Sequence, residues 1–242
     1  MERFKILDTI RGITLISMIL YHGMWDIVNL CGKNIPWYGG TIGYVWQQSI
    51  CWTFILLSGF CFSLGRRSLK RGAVVLAAGT VITIVTLVVM PEQRVVFGVL
   101  TFLGVAMLLT EVLYKGLKKI NPAVGLFLFA VLFFIFRNIN RGTLGFEGIA
   151  FCEIPEAFYS NYFTTFLGFP YKGFFSTDYF SLLPWYLLYL TGFFLYGFVE
   201  KKYLSSLVGK KREDIVSFIG KHSLIIYMLH QPLLYGIFAL IL

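Results

Sequence analysis

The stretch from Leu7 to Asp26, LDTIRGITLISMILYHGMWD, decides how the chain is read. It has the length and apolarity of a membrane span, which takes about 20 helical residues. Yet it carries Asp8, Arg11, His22 and Asp26, and charge inside lipid is costly. A helix turns about 100° per residue, so Asp8 and Asp26, five full turns apart, share a face. Arg11 and His22 fall within about 20° of each other. The four form one stripe, with Leu15 and Met18 between them. A stripe can turn from lipid toward a bundle interior or a wet cavity. Asp8 and Arg11 stand at i, i+3, a spacing at which opposite charges pair; the plainer reading is a cap and salt bridge at the membrane edge. His22 and Asp26 stand at i, i+4, where a carboxylate can orient an imidazole and stabilise its protonated form. The plainer reading of His22 is an interhelical hydrogen bond. Gly12 and Gly23 permit close helix approach. His22 lies about 18 Å along the span from Ile10 at 1.5 Å per residue, so the stripe links a cationic mouth to a titratable group deep inside.

The rest of the chain agrees with a membrane setting. Of 242 residues, 57% are hydrophobic and only 14% charged, with a mean hydropathy of +0.76; soluble domains carry about 25% charged residues. Seven apolar runs recur: Ile10–Leu30, Tyr44–Leu64, Ala73–Met90, Val95–Tyr114, Val124–Phe136, Leu182–Val199 and Leu224–Leu242. They are continuous rather than alternating, which selects helices over barrel strands. The fold class is therefore all-α, a polytopic transmembrane bundle of about seven spans, with residues 1–242 forming a single domain. One long connection, Arg137 to Ser181, reads NYFTTFLGFPYKGFFSTDYF in its second half. It is too aromatic for a solvated linker and is expected as an outer re-entrant or interfacial segment.

The net charge of +9 invites a nucleic-acid partner, but its distribution argues for topology instead. With a cytoplasmic N-terminus, 16 of the 21 Lys and Arg fall in inner segments and 5 in outer ones, as the positive-inside rule requires. The C-terminus is then outside, and the first span serves as an uncleaved anchor. Four cysteines at 31, 51, 61 and 152 form no CxxC or Cys/His cluster, so no metal site is expected. Cys31 and Cys152 both fall in predicted outer loops and leave a disulfide open.

Four stretches together resemble a known family: LDTIRG…YHGMWD, FGVLTFLGVAMLL, DYFSLLPWYLLYLTG and GKHSLIIYMLHQPLL. In this order they resemble the bacterial relatives of the heparan-alpha-glucosaminide N-acetyltransferase catalytic domain, within the transmembrane acyltransferase superfamily. The acyltransferase-three branch of that superfamily also starts with an Arg and a His eleven residues apart on its first span. That match falls on Arg11 and His22, and implies a catalytic role for His22. The branch carries an RxxR-like motif associated with the acyl donor; here GRRSLKRG fits it loosely through Arg67 and Lys70, with Arg71 close by. In the lysosomal branch the catalytic His lies in the loop after the first span. That loop here, NLCGKNIPWYGGTIGY, has none, and Thr101 stands where relatives often have His, so the role passes to His22 or His230.

The resemblance implies acetyl transfer from cytoplasmic acetyl-coenzyme A to a carbohydrate or other small amine or alcohol acceptor. Such chemistry needs a base and a stabilised oxyanion. His22 is the leading base, or a transient acetyl carrier, with Asp26 as its orienter and His230 second. Arg11, Arg66, Arg67, Lys70 and Arg71 stand on the donor's side as phosphate partners, although a basic inner loop is also what topology alone demands. Asp178, Tyr179 and Trp185, at the outer end of the sixth run, are acceptor-binding candidates; the plainer reading, favoured for Trp185, is a helix-start Pro with an aromatic belt. His222 is expected at the interface, and Glu111 paired with a neighbouring base. A second reading remains, a proton-coupled small-solute transporter using His22, Asp26 and His230 as a relay. Seven spans are few for this superfamily, which leaves open a homodimer that completes the bundle.

Overall fold

Each of the seven apolar runs carries a helix in a computed structural model of the chain, which describes residues 4–65, 68–199 and 214–241. In chain order these are α1 (Lys5–Asn29), α2 (Thr41–Phe62), α3 (Ser68–Val89), α4 (Val99–Leu117) and α5 (Pro122–Phe136). There follow a hairpin of β1 (Thr143–Phe146) and β2 (Ile149–Glu153), then α6 (Tyr162–Leu167), α7 (Leu182–Phe198), α8 (Ile215–Lys221) and α9 (Ser223–Ile241).

Among the described residues, four helices are long and apolar enough to cross a membrane: α2, α3, α4, and α5 with the turns that extend it to Arg141. Helix α3 shows what a lipid setting explains: Val81, Ile84, Val85, Val88 and Val89 are all exposed, an apolar surface that soluble monomers rarely present. Helix α1, at 25 residues, is long enough, but its charged stripe keeps it out of that set. Helices α7 and α9 are apolar and shorter.

The chain divides into two compact units, one of residues up to Leu57 with those from Val199 onward, the other Ser58–Phe198. In the first unit, Leu15, Met18 and Ile50 form a core against which Tyr21, Trp46, Phe54, Ile219, Ile226 and Tyr227 pack. Trp46 Nε1 donates to Ser17 Oγ at 2.8 Å and Tyr38 OH to the Tyr21 carbonyl at 3.2 Å, pinning the start of α2 to α1. Helix α8 begins at a capping box, with Asp214 accepting from Ser217 N at 2.8 Å. It crosses α1 backbone to backbone: a Cβ on Gly12 would sit 2.0 Å from the Val216 carbonyl oxygen, and one on Gly220 would sit 1.8 Å from that of Asp8. Only glycine permits this crossing. Gly23, expected to serve likewise, meets nothing nearer than Leu234 Cδ2 at 3.9 Å. Its neighbour in space is a flexible side chain, so close approach is a property of Gly12 alone on this helix.

In the second unit, α3 and α4 run against each other across Gly79 and Gly104, and α5 packs on α7 with Gly125 under the Phe194 ring. Asn121 caps α5 by accepting from Ala123 N and Val124 N, with Pro122 at the first helical position. The core holds Phe102, Phe133, Ile139 and Tyr189 at 1% exposure or less.

The Arg137–Ser181 segment folds as a hairpin and a six-residue helix, α6, which rises only about 9 Å. That helix alone is too short to make a re-entrant half-span, so of the outer re-entrant or interfacial segment expected from the aromatics no re-entrant part is seen among the described residues. The aromatics cluster instead: Phe97 against Phe166 and Phe174, Phe158 against Phe169, and Phe180 against Trp185. Hydrogen bonds tie the segment down, with Tyr159 OH donating to the Ile139 carbonyl at 2.6 Å and Asn140 Nδ2 to that of Gly168 at 2.8 Å. Cys31 and Cys152 form no disulfide.

Candidate active site

The stripe on α1 faces α8 and α9. At its cationic end, Arg11 Nη1 bonds Asp8 Oδ1 at 2.9 Å, the i, i+3 pair expected from the spacing. Asp8 is buried. Alongside, Lys5 Nζ lies 2.9 Å from Asp214 Oδ2. The Ser217 backbone N–H and this ammonium hold the Asp214 carboxyl down at about 2. The Arg11 guanidinium is thus engaged by a carboxylate of its own helix.

Deeper along the stripe the partners differ from the helical-wheel expectation. Among the described residues no hydrogen bond joins His22 to Asp26. Asp26 is fully buried, and its Oδ1 accepts from Gln231 Nε2 on α9 at 3.1 Å. The neighbour of His22 is His230, ring centroids 4.9 Å apart at 62°. The facing helix decides this: it brings the Gln231 amide to Asp26 and the His230 ring to His22. Pro232, inside α9, has no N–H, which releases the Met228 carbonyl one turn before it.

The tautomer of His230 follows from its bond. Nδ1 faces the Tyr227 carbonyl at 2.5 Å; a carbonyl only accepts, so Nδ1 carries the proton and Nε2 of the neutral ring is an acceptor. Gln231 donates through Nε2, leaving Oε1 as an acceptor. Asp26 Oδ2, Gln231 Oε1 and His230 Nε2 are all buried with no partner among the described residues. Buried polar atoms are nearly always satisfied. Three acceptors collected on one turn of α1 and one of α9 describe a place for a group rich in N–H or O–H donors. Beside it stands the half-buried His22 imidazole. Sequence pattern alone could not reveal this, because Asp26 and Gln231 are 205 positions apart; the one local signal was His-Gln-Pro within an apolar helix.

The other expected site residues are in the second unit. Asp178 Oδ2 accepts from Val99 N at 3.0 Å at the start of α4; burial pushes its carboxyl up to about 6. Tyr179 OH donates to the Thr165 carbonyl at 2.5 Å, and burial raises its phenol. Trp185, 5% exposed, packs on Phe180 and Phe133 under the Arg137 guanidinium at 5.0 Å. All three brace the fold. Lys70 is exposed, and Arg71 lies across Gly65, where a Cβ would meet its Nη1 at 1.4 Å. Arg66 and Arg67 lie outside the described residues. In the same unit, α2, α3 and α4 surround a cleft of about 320 Å³ lined by Phe62, Ser63, Ser68, Glu111 and Tyr114, which sequence reasoning missed. Glu111, expected to pair with a nearby base, makes no ion pair among the described residues. His222 closes α8, its Nδ1 2.9 Å from the Phe218 carbonyl. Among the described residues no cluster of His, Cys, Asp and Glu is arranged to hold a metal.

No curated protein and no solved structure gives a significant match. A family model does, over residues 3–232, and that range takes in both units and every residue of the α1–α9 cluster. With nearly the whole chain matched, this protein belongs to the heparan-alpha-glucosaminide N-acetyltransferase catalytic-domain family.

Proposed function

We propose that this protein is a membrane-embedded acetyltransferase that moves an acetyl group from cytoplasmic acetyl-coenzyme A to a small amine or hydroxyl of a sugar-like acceptor, with His22 as base. The family carries the reaction class. The observation that carries the site is the α1–α9 cluster, with three buried acceptors beside an imidazole. A sugar-like acceptor entering there would donate from its several hydroxyl or amine groups to Asp26 Oδ2, Gln231 Oε1 and His230 Nε2, with one amine or hydroxyl left against His22. Its lone pair would attack the thioester carbonyl while its proton passes to His22. The carbon–sulfur bond then breaks, and the sulfur takes a proton to leave as the free thiol. An acetyl-His22 intermediate divides the same balance into two steps.

In this reading Asp26 holds Gln231 and positions the acceptor, rather than orienting His22 directly. Arg11, Arg66, Arg67, Lys70 and Arg71 remain the candidate donor partners. Asp178, Tyr179 and Trp185 are left out of the acceptor site, because their polar atoms or faces are engaged internally. The whole chain serves as one functional domain of about seven spans with a cytoplasmic N-terminus, the arrangement that best fits the distribution of Lys and Arg.

The contact between His22 and His230 is also what a proton relay would use. One experiment separates the two: purified protein in liposomes is supplied with acetyl-coenzyme A and amino sugars, and thiol release is followed. Acetyl transfer that disappears in His22→Ala supports the enzyme. Proton-coupled solute flux without thioester consumption supports the relay.

A further inference from the structure

At one end of the Arg137–Ser181 segment the cations are matched: Arg137 and Arg141 share the Glu147 carboxylate, at 3.2 and 3.7 Å. Where the other end docks on the loop before α4, they are not. Among the described residues neither Arg94 nor Lys172 makes an ion pair. Lys172 is exposed, and so is Glu92, which bridges to neither of them. The Arg94 guanidinium lies 5.3 Å from the Phe175 centroid and makes one weak bond, from Nη1 to the Pro91 carbonyl at 3.4 Å. The backbone beneath it is held. The Arg94 carbonyl accepts from Thr177 N at 3.1 Å and from Thr177 Oγ1 at 3.3 Å. Val96 N donates to Ser176 Oγ at 2.9 Å, and Phe180 N to the Phe97 carbonyl at 2.8 Å. Phe97 itself stands at a φ of 58°, a conformation that a bulky residue keeps only where its surroundings over-determine it.

The segment that carries this pair has an apolar surface. Ile149, Phe151, Phe158, Tyr162, Phe163 and Phe175 are all exposed along it. Aromatic side chains gather at headgroup level in a bilayer. A guanidinium stacked on such a ring keeps its remaining N–H donors at the depth of the lipid phosphates. A fixed fork with no carboxylate of its own suits a phosphate, which it can hold bidentately. A second cation favours a headgroup of net negative charge. We propose that Arg94, stacked on Phe175 and helped by Lys172, holds the phosphate of an anionic membrane phospholipid, whose acyl chains lie along the exposed aromatics. This site requires a bilayer and does not depend on the acetyltransferase reading.

The test is arginine-specific dicarbonyl labelling of the full chain in maltoside detergent, read residue by residue by peptide mass spectrometry. Arg141, exposed and already paired with Glu147, is the reference within the same molecules. Dioctanoyl-phosphatidylglycerol at about ten times its dissociation constant should slow the labelling of Arg94 about tenfold and leave Arg141 unchanged. Dioctanoylglycerol, which has the chains without the phosphate, and inorganic phosphate, which has no chains, should leave Arg94 as reactive as before. Phe175→Ala should raise the lipid concentration for half-protection about tenfold, while Phe175→Tyr retains it. Lys172→Gln should raise it roughly fivefold. Unchanged melting temperatures show that the variants fold. Absence of protection by phosphatidylglycerol overturns the site. Equal protection by dioctanoylglycerol would mean that chains merely cover the ring, and equal protection by inorganic phosphate would mean a free-anion site; either overturns the lipid assignment. So does an unaltered half-protection concentration in the folded Phe175→Ala protein.

Discussion

Replacing Gln231 by Leu keeps the size of the side chain but removes the one donor to the Asp26 carboxylate among the described residues, and Asp26 is fully buried. Leaving a buried acceptor unsatisfied costs about 1–3 kcal/mol, rising to about 3–5 kcal/mol where the stranded group is charged. In a chain of this length each kcal/mol moves the melting temperature by roughly 2–4 °C, so the variant should melt about 2 to 20 °C lower. The structure makes a sharper claim than simple loss, because the cost belongs to the pair. In an Asp26→Leu background the carboxylate is gone, and Gln231→Leu should then cost no more than about 0.5 kcal/mol, the noise of additivity between independent sites. The assay is a double-mutant cycle of thermal unfolding in one detergent, with helicity and size checked for each protein. Equal costs in both backgrounds would refute the bond, and with it the account of why Asp26 does not reach His22.

The α1–α8 crossing makes a second prediction. Gly12→Ala places a methyl 2.0 Å from a backbone carbonyl and should cost about 3 kcal/mol or more, whereas Gly23→Ala, with 3.9 Å of room, should be nearly neutral; melting temperatures of the two decide it. Asp178 makes a third. Its carboxyl is raised from an ordinary 3.8 to about 6, so the folded state holds the proton more tightly than the unfolded one. Stability should therefore rise as pH falls from 7 through 6 and level off below about 4, by up to about 3 kcal/mol at 1.36 kcal/mol per unit. Asp178→Asn should remove that rise, and an identical pH profile in the variant would contradict the burial argument.

The helices were legible because lipid imposes a coarse rule: each span is a long apolar run, and every one of the seven runs carries a helix. The Asp8–Arg11 pair was legible because it lies within one turn. The hairpin was not. Its strands have four and five residues, too few to show alternation, and a bulge at Leu144/Gly145 breaks the register. Its turn places Glu147 at a φ of 50°, where Asn or Gly would have announced a hairpin. The Asp26–Gln231 and His22–His230 contacts are long-range, and periodicity along one helix carries no information about which side chain a second helix presents. Glu111 was expected to pair with a neighbouring base because cations surround it in sequence, but among the described residues it makes no ion pair.

The central claim is tested most directly by single-turnover acetyl transfer from acetyl-coenzyme A in wild type and His22→Gln, both folded and both binding coenzyme A. The account predicts that His22→Gln loses about 10²-fold or more in transfer rate, as expected for removal of a general base, with donor affinity unchanged. Transfer at the wild-type rate in the folded His22→Gln protein would contradict it.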